Sequence, residues 1–315
     1  MRSILWSEGR SYRVSILLAV VLATTPFLAN AQQNQAWLPG AGHGTFSVAY
    51  QDLHVQYHTD SRGNKAVPGT IDNHILFLDF DCGLTDRLAL SVGLPYKSNR
   101  FVGRGSHDPG RLDDDHGQLL VDDGRYHAGW SDLNLGLRYR WLSEPWAITP
   151  FISYGKPSRD YTTFGHAAVG NGQQRLELGI NAGRRFAQPF QNLYFQASYG
   201  YALMQEVDHR RVNHGTIRLE LGYLLTPRLT AWLLLVGQKT SNGLDFPEDY
   251  PLPRRDEHFF AHDQNVRNDF LNMGAGMSYQ ISDRYSLFTS YGHTLWGENT
   301  HLLDSAVTFG IARGF

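Results

Sequence analysis

The chain has 315 residues, with 28 Lys plus Arg against 30 Asp plus Glu and a net charge of −2. That length makes one large domain or two small ones, and the balanced charge offers no basic surface for nucleic acid. A mean hydropathy of −0.36 excludes a helical membrane bundle, whereas 13% aromatics and 32 Gly suit a sheet protein with many turns.

The first elements in chain order are an address. Arg2, Arg10 and Arg13 precede an apolar core at about Val14 to Ala23, and Ala29-Asn30-Ala31 fits small-x-small cleavage. This predicts a signal peptide over 1–31 and one mature domain over 32–315. The apolar run is too short to span a bilayer comfortably. Cys82 is the single cysteine, so no internal disulfide forms.

The mature part reads as strands. The first runs from about Gly44 to Tyr57. Phe46, Val48 and Tyr50 take one parity and Leu53, Val55 and Tyr57 the other, which predicts a bulge near Gln51. Strand HILFLDFDCGL follows, then the turn Leu84-Thr85-Asp86-Arg87, then LALSVGLPY. A polar segment over about 97–128 precedes SDLNLGLRYRW. There Leu133, Leu135, Leu137, Tyr139 and Trp141 alternate with Asp132, Asn134, Gly136, Arg138 and Arg140. WAITPFISY, QRLELGINAGRRF, QNLYFQASYGY, GTIRLELGYLL, LTAWLLLVG, FLNMGAGMSYQI and YSLFTSYGHT continue the series, with a long loop at about 238–267. A last loop near 296–303 leads to AVTFGIARGF, which ends on Phe315.

The count is about twelve strands in six hairpins, joined alternately by short turns and long loops. One face of each strand is apolar with Tyr or Trp at its ends; the other is polar and charged. A soluble sandwich also alternates, but aromatic girdles beside a polar inner face mark a lipid-embedded barrel. The sequence therefore predicts an all-β, antiparallel up-and-down transmembrane barrel, with short periplasmic turns and long extracellular loops. A terminal strand ending on an aromatic resembles the assembly signal of outer-membrane barrels, a role given to Phe315. The expected partners are outer-membrane lipid and lipopolysaccharide, the barrel-assembly machinery and a small solute. The expected location is the outer membrane.

The inner face carries the candidate selectivity residues: Asp79, Asp81, Asp132, Arg138, Arg140, Arg175, Glu177, Arg218 and Glu220. Their mixed signs predict ion pairs across neighbouring strands. Such charges either fill the barrel or shape a field for solutes. The loop residues Asp113, Asp114, Asp115, His116, Asp122, Asp123, His127, His258, His262 and Asp263 are ligand-competent but lack a fixed metal spacing, so no metal and no cofactor is expected. Thr240-Ser241-Asn242-Gly243 approaches the His-x-Ser-Asn-Gly stretch of barrel phospholipases. Lys239 stands where their histidine would be, so Ser241 lacks a base and no enzyme is expected.

GLTDRLALSVGLPY, GWSDLNLGLRYRW, ITPFISYGKPSRD and GNGQQRLELGI resemble the outer-membrane family called MetA-pathway of phenol degradation, best over Asp79 to Phe186. Ser153-Tyr154-Gly155-Lys156-Pro157 departs from that family's Lys-Pro-Thr-Gly pattern. The resemblance implies a passive channel or uptake barrel for small solutes, aromatic or hydrophobic ones among them. Two alternatives stand beside it: a side-chain-filled structural or adhesive barrel acting through its loops, and a lipid-modifying enzyme.

Overall fold

The computed structural model describes residues 35–66, 69–103, 121–245 and 261–315. The proposed signal peptide and the cluster Asp113, Asp114, Asp115 and His116 lie outside them, as does His258. The strands are β1 (Gly44–Thr59), β2 (Lys65–Ala66), β3 (Gly69–Gly83), β4 (Leu88–Gly103), β5 (His127–Trp130), β6 (Asp132–Tyr139) and β7 (Ala147–Pro157). They continue as β8 (Arg175–Arg185), β9 (Leu193–Met204), β10 (His214–Thr226), β11 (Leu229–Thr240), β12 (Asp269–Gln280), β13 (Tyr285–Glu298) and β14 (His301–Gly314). One turn of helix, α1 (His262–Asn265), is the helix among the described residues.

Each strand pairs antiparallel with the next around a closed wall. β14 returns to β1 from Thr45↔Gly314 to His58↔His301, so neither strand is left as an edge. β2 only extends a hairpin tip on β1, and β5 and β6 share one wall position, both pairing β4 with Ser131 between them. The wall is therefore a twelve-stranded barrel.

The burial pattern is that of a soluble protein turned inside out. In β6 the buried positions are Asn134, Gly136 and Arg138, while Leu135, Leu137 and Tyr139 are exposed. β7, β8 and β10 repeat this: Ile152, Leu178, Ile180, Ile217 and Leu221 face out, and Thr149, Ser153, Asn181, Arg218 and Glu220 are buried. In water such a surface would lose roughly 25 cal/mol per Å² of apolar area left unburied. A lipid environment removes that cost, and the closed ladder pairs the backbone along the strands apart from a few register shifts.

The hairpins alternate as the sequence predicts, with three adjustments. The strands rise further than their apolar parity, because β4 continues through Lys97 to Gly103 inside the expected polar segment. The expected loop near 296–303 is a tight reversal, since β13 ends at Glu298 and β14 begins at His301, with Asn299 at φ 50°. The bulge predicted near Gln51 is absent there. β1 stays in register with β3 from Gly44 to Val55, and its irregularity against β14 falls between His54 and Tyr57.

The physical reason lies in the surroundings of β1. Gln51 and Val55 share the inner face with Ser47 and Ala49, while Asp52 and Gln56 are exposed. Beyond Tyr50 the outside becomes polar and the inside apolar. Val55 packs with Ile71, Phe101, Val121 and Ala167. The parity inverts because the environment does, not because the strand slips.

Candidate functional site

The inner face places the nine predicted charges as follows. Asp81 and Arg138 form one pair, with Arg138 Nη2 donating to Asp81 Oδ1 at 2.5 Å and Arg138 wholly buried. These residues sit on β3 and β6, with β4 between them, so the pair bridges across an intervening strand. Arg218 donates to Glu220 at 3.3 Å within β10, and Arg175 lies 3.9 Å from Glu177 within β8. The expected pairing between neighbouring strands is thus replaced by pairs along one strand or across two. The inward pleat brings i and i+2 together on one face, and long Arg side chains reach past a small neighbour. Gly136 and Ser91 occupy the space between the elements concerned. Asp79 makes no ion pair among the described residues, Asp132 accepts the Tyr161 hydroxyl, and Arg140 turns to the N-terminal segment.

That segment, residues 35–41, enters the barrel at the rim of short turns. Arg138 Nη1 donates to the Gln35 carbonyl at 3.2 Å, and Thr149 Oγ1 donates to the Ala36 carbonyl at 2.7 Å. Ala36 N–H donates to Gln196 Oε1 at 3.4 Å, and Arg140 Nη2 donates to the Leu38 carbonyl at 3.4 Å. Trp37 sits edge-on to Tyr194 at 6.0 Å beneath the Arg185 guanidinium. Gly183 lies under the segment, where a Cβ would come within 2.6 Å of the Ala36 methyl. Glu220 completes the cradle by accepting from Tyr194 at 3.0 Å and Gln196 at 3.1 Å. The predicted charges therefore hold a strap of backbone across the bore. Periodicity carries no sign of this, because residues 35–41 have no charge to pair and are held through their backbone.

The loop between β7 and β8 folds into the bore at the other rim. Phe164, Ala167 and Val169 are buried inside the wall. Asn99 Nδ2 donates to the Ala168 carbonyl and Ser131 Oγ to the Val169 carbonyl, both at 2.6 Å. His166 stacks on Phe101 at 4.4 Å and meets Asp122 at 2.7 Å. Burial first, and then the hydrogen bond to Asp132, push the Tyr161 phenol up, so it remains a donor.

Between these two segments one side of the bore is apolar. Trp232, Leu234 and Val236 of β11 pack together with Phe270, and Phe77, Ile75, Ala49, Phe288 and Ala312 form a second cluster. The rings lie flat over glycines: a Cβ on Gly276 would fall 2.0 Å from Trp232, and one on Gly310 would fall 2.1 Å from Phe288. The signal is present in LTAWLLLVG, where Ala231 to Val236 is an unbroken run apolar on both faces. Alternation alone does not register it, because a period of two reports a polar inner face and not an apolar one.

The remaining candidates separate. Asp123 bonds His127 at 2.9 Å, while Asp263 accepts from the Gly165 backbone at 2.9 Å and Asp122 serves His166. Among the described residues no group of three or more ligands is placed to hold a metal. Ser241 Oγ meets Tyr201 at 3.0 Å, and no histidine bonds it among the described residues. Phe315 stacks on Phe80 at 5.7 Å, and its backbone exchanges hydrogen bonds with Gly44 at 3.1 Å in each direction.

A closed wall with an apolar exterior, a polar interior and inserted segments defines the class: the fold is that of outer-membrane β-barrels. An outer membrane channel from Pseudomonas putida F1 is similar over 89% of this chain and 98% of its own, with a TM-score of 0.66 at 15% identity. The translocator domain of the autotransporter NalP from Neisseria meningitidis is similar over 90% of this chain and 91% of its own, with a TM-score of 0.53 at 11% identity. No family model and no curated protein matches the sequence.

Proposed function

We propose that this protein is a gated outer-membrane channel for small amphipathic solutes, aromatic or hydrophobic ones included, as the resemblance to the phenol-degradation family implies. One observation carries the reading. The wall needs two inserted pieces of chain, residues 35–41 and the β7–β8 loop, to occupy its interior. A barrel filled by its own side chains has no room for either; twelve strands enclose more than eight do. The fold of the Pseudomonas channel supports the same reading.

The inner wall suits an amphipathic passenger. Its charged side, from β3 round to β10, is matched by the apolar side around Trp232 and Phe288. On this reading the short turns face the periplasm, the leader is removed on export, and Phe315 marks the chain for barrel assembly. Arg138 and Arg140 set the inner constriction through the strap.

Conductance in planar bilayers tests the proposal. Purified protein is expected to give discrete steps, and deletion of residues 35–40 should enlarge them. No steps from either protein over many insertions would leave a filled barrel in its place.

A further inference from the structure

We infer that the lumen holds a subsite for a small organic carboxylate, built on Lys97 and Arg175 beneath the β7–β8 loop. The inference rests on the lumen being a solute path and names a chemical class for one station on it. A cavity of about 90 Å³ opens there, bounded by Pro95 and Lys97 of β4, Asn134 of β6, Arg175 of β8 and Met204 of β9, with Gln173 above. That volume holds several waters, or a carboxylate with a short carbon chain.

The charges in the chamber are unequally served. Lys97 has no ion pair and no hydrogen bond among the described residues, although it lines the cavity. Its counter-charge, Asp132, lines the same chamber and also accepts the Tyr161 hydroxyl. Arg175 gives one Nη2 hydrogen bond to Asn134 Oδ1 at 3.0 Å, approaches Glu177 only to 3.9 Å, and leaves a buried Nε without a partner. Two further polar groups of the rim are bonded internally. Ser131 is bonded to the Val169 carbonyl, and the Gln173 amide donates to the Gln205 carbonyl at 3.2 Å. Two cationic side chains therefore face the chamber with donors to spare, beside the single carboxylate of Asp132.

Chemistry narrows the guest. A planar carboxylate can accept from the Arg175 Nε–H and the Lys97 ammonium together, and such charge-assisted bonds are among the strongest. Pro95 and Met204 give the rest of the molecule an apolar rest. The nearby Asp132 and Glu177 oppose a second negative charge, so a monocarboxylate is favoured over a dianion.

Isothermal titration of the full chain in detergent tests this with propionate, and with propionamide as the neutral isostere. Propionate should bind and propionamide should not. Lys97→Gln should weaken propionate by about tenfold or more, the worth of one hydrogen bond to a charged group, and Lys97→Arg should restore most of it. Lys97 makes no hydrogen bond or ion pair among the described residues, so the variants should keep the heat-shifted gel mobility of a folded barrel. Equal binding of the amide, or unchanged affinity in Lys97→Gln, would overturn the assignment. Binding is read here without transport. A protein that conducts but ignores propionate sinks the subsite alone, whereas one that binds but never conducts sinks the channel.

Discussion

Arg138 shows how one residue can be legible in kind and illegible in role. Its alternation with Leu137 and Tyr139 puts it on the inner face, and nothing in the sequence says that it joins Asp81 on one side and the Gln35 carbonyl on the other. Removing one partner of a buried pair leaves an uncompensated charge, at a cost of about 3–5 kcal/mol. Arg138→Met should therefore lower resistance to urea by that order, and adding Asp81→Leu should recover part of it. A double variant no more stable than the single one would show that the pair is not the cause. The outer face obeys the opposite rule. Leu178→Arg should cost roughly 2–4 kcal/mol in lipid if the residue lies near the bilayer midplane, measured by unfolding from vesicles. The same change tolerated without loss would deny lipid contact at that site.

At the scale of elements, the wall strands were readable because a period of two survives wherever lipid lies on one side and the bore on the other. The reading failed where that contrast ends. β1 changes the sign of its alternation above Tyr50, and β11 loses alternation altogether around Trp232. The strap and the β7–β8 loop were unreadable for a different reason. Both are held largely through their backbone N–H and carbonyl groups, which any sequence offers. Two variants probe them. Thr149→Val removes the donor to Ala36 and should loosen the strap, raising conductance without lowering stability by more than about 1–3 kcal/mol. Tyr161→Phe removes the donor to Asp132 and should increase gating noise from the loop. Currents identical to the parent in both would show that neither segment sits in the path.

The molecule as a whole depends on closure. Thr45 meets Gly314 across the seam, and Phe315 stacks on Phe80 beyond it. Deleting Phe315 should slow assembly of the heat-stable barrel in cells while leaving a barrel formed in detergent nearly as stable, because the ladder itself stays intact. Equal assembly rates would refute a signalling role for the residue.

By itself the sequence determined the barrel: strand number, hairpin alternation, the outward apolar face and the inward charges all follow from local periodicity read against lipid. Only the tertiary structure decided that chain segments enter the bore at both rims, that one inner wall is apolar, and that Lys97 faces a cavity beside Arg175. Those facts depend on which distant segments share the bore, and periodicity records the surroundings of each strand but not the identity of what fills the space between them.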